Sequence, residues 1–107
     1  MLTSSSDANA TILPEGLVPY KRTAEFTPET VPAGLRKDHC TKADVWALIH
    51  VIAGKLRYQV TDRRRCASNL LITSDTAAGI VEPTILHHVK PLEGCRFFVE
   101  FWRPPGA

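Results

Sequence analysis

The chain has 107 residues, 44% of them hydrophobic, which is room for one domain with an ordinary core and not for a second. Thirteen Lys and Arg against eleven Asp and Glu leave a net charge of +2, too small to point to a nucleic-acid or membrane partner. Three cysteines, Cys40, Cys66 and Cys95, show no CxxC spacing and indicate neither a disulfide framework nor a thiolate zinc site. They read as small buried or half-buried residues in a reducing compartment.

Residues 1–14 are rich in Ser, Thr, Asn and Ala without a period of 2 or 3.6, and read as a tail preceding a domain over 15–107. The tail lacks the basic start and apolar centre of a secretory signal, so a cytoplasmic location is the default expectation. From Leu17 onward, Pro and Gly punctuate short runs rich in Val, Ile, Phe, Tyr and Trp, which is a β pattern. Val45 to Ala53, Gly54-Lys55 and Leu56 to Val60 read as two strands joined by a tight turn, a hairpin. The first of these runs is far shorter than the roughly 20 residues of a membrane span and is interrupted by His50.

Asp62-Arg63-Arg64-Arg65 reads as a charged, solvated loop tip, followed by strands at Leu70 to Thr73, Gly79 to Val81 and His87 to Lys90. A last, aromatic strand runs from Cys95 to Trp102 and is closed by Pro104-Pro105-Gly106. No window carries apolar residues at helical spacing for long enough to predict a helix. Six to eight short strands in this length predict an all-β sandwich or barrel.

Side chains alternate across a strand, so parity sorts them onto faces. Ala47, Ile49, Val51 and Ala53 suit the interior; Trp46, Leu48 and His50 share the other face, which places His50 against another layer or a partner subunit. His87 and His88, delivered by the Glu82-Pro83 turn, point to opposite faces, so at most one enters the interior. Glu100, between Val99 and Phe101, is either outward with a partner or an inward ligand, because a buried carboxylate needs a partner.

Several segments together resemble the cupin-like family of TehB N-terminal and YeaR-type domains, small proteins associated with tellurite resistance. They are Val31-Pro32-Ala33-Gly34-Leu35, Lys37-Asp38-His39-Cys40-Thr41-Lys42, Val45-Trp46 through Leu56, Val81-Glu82-Pro83 leading to His87, and Phe98-Val99-Glu100-Phe101-Trp102. The resemblance implies a cupin-like double-stranded β-helix, a jelly-roll barrel, with a pocket centred on His39 and His87. The broader cupin metal set is incomplete, since Ala47 stands about where a glutamate is expected. A site of two histidines and one carboxylate needs Glu100, or alternatively Glu82, with His88 as the competitor of His87.

Three functions follow as expectations. One is a barrel holding a divalent metal (Zn, Fe, Mn or Ni) with a small molecule or oxyanion as ligand. A second is a metal-free small-molecule binding or sensing domain, and a third is an interaction module, such as a homodimer, using an edge strand, Trp46 or Trp102. No catalytic residue is assigned: the sequence has no Gly-rich phosphate loop, no GxSxG elbow and no Cys paired by spacing with His.

Overall fold

Several strands in this chain end at or next to a glycine or proline that interrupts the ladder. Seen in a computed structural model that describes residues 13–106, the elements are β1 (Val18–Arg22), a 3-10 turn (Ala33–Arg36), β2 (Trp46–Ala53), β3 (Lys55–Val60), β4 (Ser68–Thr73), β5 (Gly79–Val81), β6 (His87–Pro91) and β7 (Arg96–Arg103). β2 stops at Gly54, whose φ is +72°; β5 stops just before Glu82-Pro83, β6 at Pro91 and β7 at Pro104. Most of the tail expected over 1–14 lies outside the described residues.

The strands form two antiparallel sheets, one in the order β1-β7-β2-β5 and the other β4-β3-β6. Side chains from both meet in one core: Ala47, Ile49, Val51, Val81, Phe97 and Val99 from the first sheet; Leu56, Tyr58, Ile72 and Val89 from the second. Parity holds along β2, where Ala47, Ile49 and Val51 are buried while Trp46, Leu48 and His50 are only half-buried.

Two expectations need correction. The all-β class stands, but the sheets do not close into a barrel: among the described residues no ladder joins β5 to β4 or β1 to β6. β5, three residues long, meets β4 through the Ile72 side chain. The Ile72 Cδ1 atom lies 2.5 Å from where a Cβ on Gly79 would be, so the two edges interlock without sharing hydrogen bonds. The expected hairpin is also absent, because β2 pairs with β5 and β7 whereas β3 pairs with β4 and β6. Gly54 is a corner at which the chain leaves one sheet for the other. The cysteine expectation holds for Cys95, which is buried, and fails for Cys40 and Cys66, which are exposed.

Candidate functional site

The site grows from a single backbone bridge. β6 pairs with β3 along one edge, and on its other edge His39 exchanges both main-chain hydrogen bonds with His87, each 2.9 Å long. Residues directly opposite in an antiparallel pair present their side chains to the same face. The imidazoles of His39 and His87 therefore stand together, with ring centroids 4.2 Å apart.

Backbone carbonyls fix both rings. Nδ1 of His39 lies 2.8 Å from the Lys37 carbonyl oxygen, and Nδ1 of His87 lies 2.9 Å from that of Ile85. A carbonyl only accepts, so each Nδ1 carries the proton and the neutral ring keeps its lone pair on Nε2. His87 is 4% exposed, and its Nε2 has no protein partner among the described residues. Yet no enclosed side-chain nitrogen or oxygen there lacks a partner, so this Nε2 opens onto the cavity. Burial pushes the His87 pKa down to about 4, aided by neighbouring His39 and His88 and opposed by the Ile85 hydrogen bond and Asp38.

The cavity has a volume of about 670 Å³ and lies between the sheets. Phe26, Leu35, Ile49, Val81, Phe97, Val99 and Phe101 give it apolar walls, and Phe26 meets Phe97 edge-on at 5.6 Å. The 3-10 turn, which packs against β6, brings Leu35 to it.

Asp62 holds the entry to β6. Its carboxylate, 5% exposed, accepts hydrogen bonds from the Leu86 amide at 2.9 Å and from the Arg64 amide and guanidinium at 2.8 to 3.0 Å. The Arg64 guanidinium and these amides hold the Asp62 carboxyl well below the usual carboxylate range. His87 follows Leu86 immediately, so this clamp sets where the imidazole starts. The basic triplet is thus not simply a solvated tip: Arg64 serves Asp62, and Arg65 grips Glu82 through two bonds of 2.9 Å. Nothing local in the sequence reveals that Asp62 meets Leu86, 24 residues away.

The structure brings His39 and His87 together and leaves the other candidates elsewhere. Glu100 lies on the outer face of the first sheet, accepting from the Trp102 indole at 3.0 Å and paired with Nε2 of His50 at 3.2 Å. His50 is stacked on Phe98 and faces away from the cavity, as its parity predicts. Glu82 is engaged by Arg65. His88 points to the opposite side of β6, with Nδ1 2.8 Å from the Asp38 carboxylate and Nε2 2.8 Å from the Gln59 amide oxygen. The facial set of His39, His87 and a carboxylate is therefore not assembled. Among the described residues no group of three or more His, Cys, Asp or Glu is placed to hold a metal ion, and two imidazoles fall short of the three or four protein donors such sites use. Sequence reasoning also missed the cations at the mouth, Lys21, Lys42 and Arg103, whose common position depends on strand register.

Among the described residues no helix is long and apolar enough to cross a membrane. Comparison with known proteins matches residues 21–99 to the TehB-like domain family. A protein of Haemophilus influenzae named as a probable S-adenosyl-L-methionine-dependent methyltransferase, TehB, is 29% identical over 77 residues; a second strain's protein of that name is 27% identical. The match takes in 71% of this chain and only 27% of those proteins, so the chain spans about a quarter of their length. The crystal structure of TehB from H. influenzae superposes with a TM-score of 0.77 at 23% identity, over 84% of this chain and 32% of that one. A crystal structure of an Escherichia coli K12 protein gives the same TM-score, 0.77, at 20% identity over 89% of this chain and 98% of that one. At these identities the two structures establish likeness of fold.

Proposed function

Because the chain belongs to the TehB-like domain family, we propose that it acts as that family's β-sandwich module for capturing a small, mainly apolar organic ligand. The ligand lies between the sheets and donates a hydrogen bond to the Nε2 atoms of His39 and His87. One observation carries this reading: a ring that is 4% exposed keeps an unpartnered Nε2 turned into a cavity of ligand size. Because this Nε2 opens onto the cavity, a ligand donor there gains the net worth of one hydrogen bond, roughly 0.5–1.5 kcal/mol.

S-adenosyl-L-methionine, the cofactor in the relatives' name, does not suit this cavity. It carries a sulfonium and an ammonium cation, and its ribose hydroxyls call for an acidic acceptor, whereas no Asp or Glu lines the walls and three cations do. Methyl transfer is therefore not assigned to these residues. A part in tellurite or other oxyanion stress, which the resemblance implies, takes the form of ligand capture.

Titration calorimetry with 2-naphthol and with its methyl ether, 2-methoxynaphthalene, tests the proposal. The alcohol is expected to bind several-fold to about tenfold more tightly, the net worth of one hydrogen bond. That advantage disappears in His87→Phe and shrinks in His39→Phe, with circular dichroism unchanged. Equal affinity for the two probes, or an advantage that survives both substitutions, overturns it.

A further inference from the structure

The mouth of the cavity carries charge of one sign only. Lys21 and Arg103 reach it from the β1-β7 edge, and Lys42 reaches it from the segment between His39 and β2. A bulge at Tyr20 sets this up. Pro19 lies opposite Trp102 and Lys21 opposite Phe101, so one residue of β1 is left unpaired, and Lys21 shares the inward face of Phe101. Arg103, two residues beyond Phe101, falls on that same face, and its guanidinium lies 4.0 Å over the Tyr20 ring, which holds it in place. Among the described residues none of the three cations has an acidic partner: the five ion pairs use Glu100, Asp62, Glu82, Asp38 and Glu25 with other groups.

Five of the described acidic residues pair with an arginine or a histidine, none lines the cavity, and the chain as a whole is only +2. Three cations and no carboxylate among the lining residues make the opening of this apolar cleft locally positive. Low-dielectric walls focus such a field on whatever occupies the opening. Inside, the His39 and His87 lone pairs accept; outside, the three cations attract an anion.

We infer that the ligand is an amphipathic organic anion, with its hydrogen-bond donor at the imidazole pair, an apolar body along the phenylalanine walls and a carboxylate at the Lys21, Lys42 and Arg103 mouth. This rests on the ligand-capture reading above and adds the charge of the ligand and the direction in which it lies.

The test compares 2-naphthol with 6-hydroxy-2-naphthoate, which adds a carboxylate at the far end of the same ring system. At low ionic strength the acid is expected to bind at least about tenfold more tightly than 2-naphthol, with the advantage shrinking in salt as the exposed charges are screened. In the triple variant Lys21→Gln, Lys42→Gln, Arg103→Gln the acid loses its advantage while 2-naphthol binds as before. An acid that binds no better than 2-naphthol, or one whose advantage persists in the triple variant, overturns the anion inference and leaves ligand capture standing. If neither compound binds, both readings fall.

Discussion

Replacing Gly54 with alanine is expected to destabilise the protein by roughly 2–5 kcal/mol, adding the left-handed backbone penalty to forced overpacking. A Cβ there would lie 2.7 Å from the Cys95 Cα and the Gly94 carbonyl oxygen and 2.8 Å from the Cys95 nitrogen, all backbone atoms that cannot swing aside. Gly94 supplies the control, since its φ of +79° carries the same backbone penalty while nothing lies within 4 Å of its own would-be Cβ. Gly94→Ala should therefore cost about 1–2 kcal/mol. Urea unfolding of the two variants separates the close approach from the dihedral; equal losses would mean that the corner is not tightly packed. The corner matters to function because it sends β2 into one wall of the cavity and β3 into the sheet whose β6 strand carries His87 to the other.

Acid is expected to weaken the fold through His87 before it weakens it through any clamp carboxylate. The unfolded imidazole titrates near 6.5 and the native one at about 4. Between those values the unfolded chain takes up a proton that the native chain refuses, so stability falls as the pH drops from 6.5 toward 4 and is fully present above 6.5. At about 1.4 kcal/mol per pH unit the loss is roughly 3 kcal/mol. The Asp62 pKa is also depressed, because here the fold favours the charged form: its contribution is present above the ordinary carboxylate value of 3.8 and is lost as the pH falls below that. The two therefore separate on the pH axis. Urea midpoints followed from pH 7 to pH 4 should slope downward in the wild type, and the His87 share of that slope should be missing in His87→Phe, whose starting stability is lower because the Ile85 carbonyl loses its donor. An unchanged slope in the variant would assign the acid sensitivity to other groups.

What the sequence made legible, and what it hid, divides along the range of the interactions involved. Proline, glycine and parity are local, and they located β2, β5 and β7 within a residue or so, along with the inward set Ala47, Ile49 and Val51. Pairing is not local. A glycine turn after Ala53 shows that the chain changes direction; it does not say whether the next strand stays in the sheet, and here β3 leaves it. Glu100 was ambiguous for a similar reason, because the choice between faces was settled by His50 and Trp102 on the same outer surface. His39 and His87 follow from the resemblance, and parity adds only that at most one of His87 and His88 turns inward. Their contact depends on one bridge between residues 48 positions apart, and the Asp62 clamp that starts β6 depends on a loop meeting a distant amide.

The account rests on His87, held with a protonated Nδ1 and with Nε2 turned to the cavity, and on His39 beside it in the cavity lining. Nitrogen-15 NMR of the histidine side chains at pH 7 reads this directly. His39 and His87 should each show a protonated Nδ1 and a bare Nε2, and the Nε2 signals of both should move when 2-naphthol is added. A His87 ring that is doubly protonated or carries its proton on Nε2, or Nε2 signals that stay fixed while 2-naphthol binds, would contradict it.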